Sequence, residues 1–349
     1  MPDYLKGTPE EALEFKPRSY ICKRATMPLE LNGRLDKPFW EKACWSDEFE
    51  DIEWEKKPKP YKKTRMKMLW DDEYLYVGAY LEEDKIWGTL KERDSVIFND
   101  NDFEIFIDPD GDTHNYFEFE INTLNTVWDL LLTKPYRDNP KVINAWDITG
   151  LKSAVYIDGV LNDPNGIYTN KGWSIEIAFP FKILKECAKD NKIPSAGDYW
   201  RIDFSRVEWQ TEIINGKYSK KINPKNGRPF PEDNWIWSPI GLINMHYPEL
   251  WGFLYFTDTD NDNEKENFEI PKDEELKWEL RKIYYMQRYF YANNGRYADK
   301  YEMLSDKAFN INSKIIIETT RSMYEAYIPT TDGKGKIIIT HDGQCYIEN

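Results

Sequence analysis

Histidine is scarce in this chain of 349 residues: His114, His246 and His341 are the full set, and none stands in HExxH spacing. That argues against a zinc hydrolase. Cysteine is almost as sparse. Cys22, Cys44, Cys187 and Cys345 lie far apart, with no CxxC and no metal spacing. They permit at most two disulfides of unreadable connectivity, or four free or buried thiols. Basic residues fall short of acidic ones, Lys+Arg 47 against Asp+Glu 62, for a net charge of −15. Such a balance excludes nucleic acid as partner, because phosphates need a basic face. There is no long apolar run and mean hydropathy is −0.75, which excludes a transmembrane helix. No G-x-S-x-G, P-loop or G-x-G-x-x-G has the strand-to-helix setting its chemistry requires. Met1-Pro2-Asp3-Tyr4 shows neither a basic n-region nor an apolar h-region. The protein is therefore either intracellular or carried a signal that has been removed.

What the chain has is aromatic side chains: Trp 14, Tyr 23 and Phe 17. With 40% hydrophobic residues it can build a core. An acidic chain rich in Trp and Tyr suits uncharged, amphipathic ligands such as sugars. Its length allows about two domains, or one large β-domain with an appendage. Residues 1–19, with Pro2, Gly7, Pro9 and Pro17, read as an irregular lead-in. From 20 to 258 short strands dominate. Thr64–Trp70 and Tyr74–Leu81 form a hairpin about Asp71-Asp72-Glu73, and Phe103, Ile105 and Ile107 share a face at period two. Phe117, Phe119 and Ile121 oppose Glu118, Glu120 and Asn122, and Trp173, Ile175, Ile177 and Phe179 repeat the pattern. Strands over Trp200–Trp209 and Trp251–Thr257 follow, and a short helix after Pro180 ends near Ala188. The expected fold is mainly β, an antiparallel two-sheet, jelly-roll-like β-sandwich. An acidic linker spans 259–271. Residues 272–349 then form a small α+β module: a helix capped by Asp273, with Leu276, Leu280, Ile283 and Phe290 at helical spacing, stopped by Asn293-Asn294-Gly295. Strands over Lys314–Glu318, Tyr324–Ile328 and Lys336–Thr340 complete it.

Five stretches, in order, resemble the family 9 carbohydrate-binding modules. They are Leu31-Asn32-Gly33-Arg34-Leu35-Asp36-Lys37-Pro38-Phe39-Trp40, Leu69–Val77, Asn101–Asp108, Gly172–Ala178 and the Trp237-Ser238-Pro239 turn. The resemblance covers about residues 20–258. It implies a β-sandwich, bound calcium, and a slot where two aromatic rings sandwich a sugar, without catalysis. It also implies an extracellular, periplasmic or cell-surface setting among polysaccharide-degrading systems. By the family's spacing Glu104 falls at a sugar-contacting glutamate and Phe98 at a stacking tryptophan. Glu120 stands where an arginine is expected, and the second stacking tryptophan is replaced near Met245-His246. Trp128, Asp129, Arg206, Trp209, Trp237 and His246 are substitute ligand contacts. Residues 284–298 faintly resemble pilin-like subunits.

Asp108-Pro109-Asp110-Gly111-Asp112 sets three carboxylates at alternate positions of a glycine turn, as a hard cation such as Ca²⁺ requires, although no twelfth-position Glu makes it an EF-hand. Asp258, Asp260 and Asp262 repeat the spacing in the linker. Glu118 and Glu120 would project from one strand face about 7 Å apart, within the range of an inverting glycosidase pair. Such pairs also follow simply from strand alternation. The main reading is therefore a non-catalytic glycan binder in polysaccharide capture or catabolism, with an oligo- or polysaccharide as partner. The alternatives are an enzyme acting on O-glycosyl compounds, and an assembly scaffold that has lost sugar binding and docks a protein through the C-terminal module.

Overall fold

Alternating apolar and polar residues build the principal strands of the sandwich, seen here in a computed structural model that describes residues 10, 13–258, 268–304 and 314–348. They are β1 (Ser19–Arg24), β2 (Thr64–Trp70), β3 (Tyr74–Glu82), β4 (Asp102–Asp108), β5 (Tyr116–Asn122), β6 (Val127–Leu132), β7 (Lys152–Asp158), β8 (Gly172–Pro180), β9 (Tyr199–Glu208) and β10 (Gly252–Thr257). Their order across the sheet is β6-β5-β4-β9-β10-β1-β2-β3-β8-β7. The path is continuous, so the two layers are halves of one curled sheet, joined through β1. Most neighbours are antiparallel, as expected, but β1 runs parallel to both β10 and β2. It enters from the N-terminal lead-in rather than from a hairpin, so no tight turn dictates its direction.

The two halves bury one core. Phe103, Ile105, Phe117, Phe119 and Ile121 from one half meet Met66, Val77, Ile175 and Ile177 from the other. The period-two pattern thus points as the sequence implied. The opening stretch Leu31–Trp40 is anchored by one buried carboxylate, Glu176 of β8. Glu176 accepts hydrogen bonds from the Asn32 and Gly33 N–H groups, each at 2.9 Å, and from Trp40 Nε1 at 2.7 Å. The short helix after Pro180 is present as Phe181–Leu184, continued by a 3₁₀ turn to Cys187. All four cysteines are free.

The C-terminal helix spans Lys272–Asn294 and ends on Gly295, whose φ of 65° provides the left-handed stop. Asp273 is not its cap: it lies inside the first turn, and its carboxylate accepts the Thr331 N–H at 2.8 Å. Pro271 holds the cap position, its fixed φ suiting a helix start. The module's antiparallel sheet is Ile316–Thr319, Tyr324–Pro329, Lys336–Thr340 and an additional strand, Cys345–Glu348. Most of the lead-in and of the 259–271 linker, including Asp260 and Asp262, lies outside the described residues. The module packs on the sandwich: Trp278, Ile283, Tyr284 and Ile337 share a cluster with Phe106, Tyr116, Leu130 and Trp251.

Candidate functional site

On β4 and β5 the residues that point away from the sandwich core divide into two zones. Phe106 and Tyr116 lie beneath the C-terminal module. Beyond them the same face carries Asp102, Glu104, Glu118 and Glu120, all buried. Register brings them together, since Glu104 pairs across the strands with Glu120 and Phe106 with Glu118. Burial, then like charge, pushes Glu118 up to about 8, with Glu104 as the charged neighbour. Burial likewise raises Glu104 to about 7 and holds Asp102 and Glu120 well above the usual carboxylate range. Glu118 and Glu120 share this face, and Glu118 is among the like charges that raise Glu120.

Aromatic rings rim this acidic floor. Phe98 and Tyr136 are 37% and 47% exposed. The Phe98 N–H donates to Glu120 Oε2 at 2.9 Å, and Trp209 Nε1 donates to the Phe98 carbonyl at 2.7 Å. Trp128 faces Glu120 from β6 and is half-buried. Tyr136 is raised to about 12 by burial and by Glu118 and Glu120. Its ring meets His246 edge-on, with centroids 4.5 Å apart. His246 Nδ1 lies 2.8 Å from the Tyr116 hydroxyl, and its Nε2 lies 4.0 Å from Glu118. Burial and then Arg137 lower His246 to about 3, so the imidazole is neutral at physiological pH.

The structure therefore gathers Phe98, Glu104, Trp128, Trp209 and His246 about one face. Three other sequence candidates lie elsewhere. Trp237 is 1% exposed and packs on Phe204 in the core, where its ring fills the space that a side chain at Gly252 would need. Arg206 has the opposite strand parity to Glu104 and is buried between Glu83 and Glu208, at 2.9 Å from each. Asp129 also points the other way, accepting the Ile148 N–H at 2.6 Å and pairing with Arg93. Tyr136 was not singled out from the sequence, for its loop position gives no periodic signal.

Among the described residues, three carboxylate groups place ligand atoms within 4.8 Å of one another: Asp108/Asp110/Asp112, Asp102/Glu104/Glu120 and Asp94/Asp129/Asp147. The first is the glycine turn. Burial, then Asp112, raises Asp110 to about 7. Its carboxylates also hold the fold together: Asp108 accepts from Thr113 N–H at 2.9 Å, and Asp112 accepts from His114 N–H and from Gln344 Nε2 at 2.7 Å each. Oxygen-only donors about a tight turn fit a hard cation.

A separate cavity of about 320 Å³ opens on the far half of the sheet, lined by Trp45, Tyr80, Tyr156, Lys67 and Arg34. The Arg34 guanidinium lies 3.7 Å from the Tyr156 ring centroid, and Lys67 Nζ lies 4.5 Å from that of Trp45. Burial lowers Lys67 to about 8, against the pull of Glu176.

Residues 31–193 match the family described as carbohydrate family 9 binding domain-like. This stretch is family-9-like. The family-9-like region thus includes β2 to β8 and every acidic residue of the face. Among solved structures, a family 9 module of Caldicellulosiruptor kristjanssonii in complex with cellotriose is 15% identical, covering 72% of this chain and 100% of that one, with a TM-score of 0.45. A putative carbohydrate-binding protein of Bacteroides uniformis is 14% identical over 69% of this chain and 100% of its own, with a TM-score of 0.48. No curated protein matches.

Proposed function

We propose that the protein binds a saccharide without cleaving it, using the acidic face rimmed by Phe98, Trp128 and Tyr136. The observation that carries this reading is the combination, within and beside a family-9-like region, of exposed rings with carboxyls at their base. Rings offer a flat apolar surface to the C–H face of a pyranose, while carboxyls accept from its hydroxyls. The role belongs to polysaccharide capture or catabolism outside the cytoplasm. A calcium ion at Asp108, Asp110 and Asp112 is part of the proposal, bracing the turn that carries the C-terminal module.

Calorimetric titration with a panel of neutral oligosaccharides tests the reading. Phe98→Ala or Tyr136→Ala should weaken binding about tenfold with an unchanged melting curve. Silence across the panel at millimolar concentration refutes it. The cavity beside Trp45 supports a second reading of where the sugar lies, since aromatic walls and cationic arms also suit a saccharide. Loss of binding in Trp45→Ala, but not in Tyr136→Ala, would move the site there.

A further inference from the structure

An ammonium removed from water needs acceptors or an anion in exchange. Lys67 is buried on the outer face of β2, opposite in parity to Met66 and Met68 of the core. Among the described residues its Nζ makes one hydrogen bond, to the Leu35 carbonyl at 3.3 Å. Its other near neighbours are the Trp45 and Trp40 rings, whose centroids lie 4.5 and 5.6 Å away. Rings attract a cation but offer its N–H groups no lone pair. The nearby acids are engaged elsewhere: Glu176 with Lys37 at 2.8 Å, Asp158 with Lys171 at 3.7 Å, and Asp36 with Arg34 at 3.9 Å. Lys67 is therefore a positive charge in excess. Arg65, two positions along the same face of β2, puts a second cation over the Trp45 ring, at 5.5 Å.

The cavity of about 320 Å³ that Lys67 lines is a trough across four strands. Tyr80 of β3 pairs with Ser174 of β8, and Ser174 with Tyr156 of β7, so the three stand in one row. Lys67 pairs with Gly78, whose lack of a side chain admits Leu35 and Trp40 beside it. From β2 to β7 is three strand spacings, roughly 14 Å, long enough for a short oligosaccharide segment. From this geometry we propose that the trough binds a uronic acid unit of an oligosaccharide, its carboxylate on Lys67 and Arg34 and its ring on the aromatic walls of Trp45 and Tyr80. One excess charge matches one carboxylate, and a carboxylate bonded to an ammonium forms a strong, charge-assisted pair. Asp36 and Asp158, both exposed at the rim, repel a doubly charged phosphate, and the chain's net charge of −15 disfavours a polyanion. A bare small anion would leave the rings in water. The inference goes beyond the saccharide reading of the acidic face, whose carboxyls repel an acid. An acidic probe therefore reports on the trough whether or not a neutral sugar binds beside Tyr136.

Calorimetric titration of the full-length protein with glucuronate, and separately with acetate, tests the proposal. Glucuronate should bind, and acetate should bind at least about tenfold more weakly because it cannot use the rings. Lys67→Met and Arg34→Ala should each weaken glucuronate by more than about tenfold. The Arg34 side chain is 46% exposed, so Arg34→Ala should fold even if Lys67→Met does not. The pH profile gives a second readout, which a merely structural lysine would not move. Burial lowers Lys67 from an ordinary 10.5 to about 8, against the pull of Glu176. Its ammonium is therefore lost as pH rises through about 8, and glucuronate affinity should fall between about pH 7 and pH 9. Glucuronate bound no better than acetate overturns the proposal. So does an isotherm indifferent to both substitutions, or an affinity that holds undiminished to about pH 10.

Discussion

At the scale of single residues, Glu176 shows how a motif can be structural. One carboxylate accepts the Asn32 and Gly33 N–H groups and the Trp40 indole, and pairs with Lys37 at 2.8 Å. Removing it leaves the Gly33 N–H and the Trp40 indole N–H buried without an acceptor. Glu176→Ala should therefore lower stability by about 3–5 kcal/mol, measured by urea denaturation. A loss below about 1 kcal/mol would mean that water replaces the carboxylate. Gly33 is constrained from both sides: its φ is 80°, and a Cβ there would lie 2.4 Å from the Tyr156 backbone nitrogen. The sequence displayed both halves of this arrangement, Leu31–Trp40 and Gly172–Ala178, but not that one serves the other across 140-odd positions. The same holds for the acidic face. Alternation assigned Glu118 and Glu120 to one side of β5, which the structure bears out. Tyr136 and His246, which lie beside Glu118, come from loops that no local pattern ties to β5. Conversely, Trp237 and Arg206 stand among the substitute ligand contacts in sequence yet lie buried, because an aromatic ring or a guanidinium looks the same in sequence whether it packs inward or outward.

Between elements, the C-terminal helix is fastened to the sandwich by Glu249, in the turn preceding β10. Glu249 pairs with Arg137 at 2.8 Å and Arg281 at 3.7 Å, and accepts from the Tyr285 hydroxyl. Burial alone would raise its carboxyl, but Arg137 and then Arg281 overcome this and lower it to about 2, from an ordinary 4.5. A carboxyl depressed on folding contributes stability above its unfolded value and loses it as pH falls through the folded one. The melting temperature should accordingly drop between pH 4.5 and pH 2. Glu249→Gln should flatten that limb, while costing about 3–5 kcal/mol at neutral pH by leaving Arg281 buried without its anion and Arg137 with Asp138 alone. A pH profile of Glu249→Gln parallel to the wild type would show that other carboxyls govern the acid limb. The helix itself was legible from Leu280, Ile283 and the Asn294-Gly295 stop. Its fastening was not, since Arg137, Glu249 and Arg281 come from three separate stretches.

For the whole molecule, the change of pattern after residue 258 reads in sequence as a boundary between independent parts, because a polar run followed by a helical repeat is how appended modules look. Packing gives a different picture. Trp278, Tyr284 and Ile337 lie in one apolar cluster with Phe106, Tyr116 and Trp251 of the sandwich. The Cys345 N–H bonds to the Asp112 carbonyl at 2.9 Å, and the Thr113 hydroxyl to the Gly343 carbonyl at 3.0 Å. A shared apolar cluster makes the two parts one cooperative unit, since neither can open without exposing the other's surface. Calorimetry should show a single unfolding transition, and Trp278→Ala should shift all of it, by about 3–5 kcal/mol. A fragment ending at residue 258 should bind a hydrophobic dye and aggregate, because Phe106, Tyr116, Leu130 and Trp251 then face water. If that fragment instead stays monomeric, dye-negative and as heat-stable as the full chain, the module is an accessory laid over a self-sufficient sandwich.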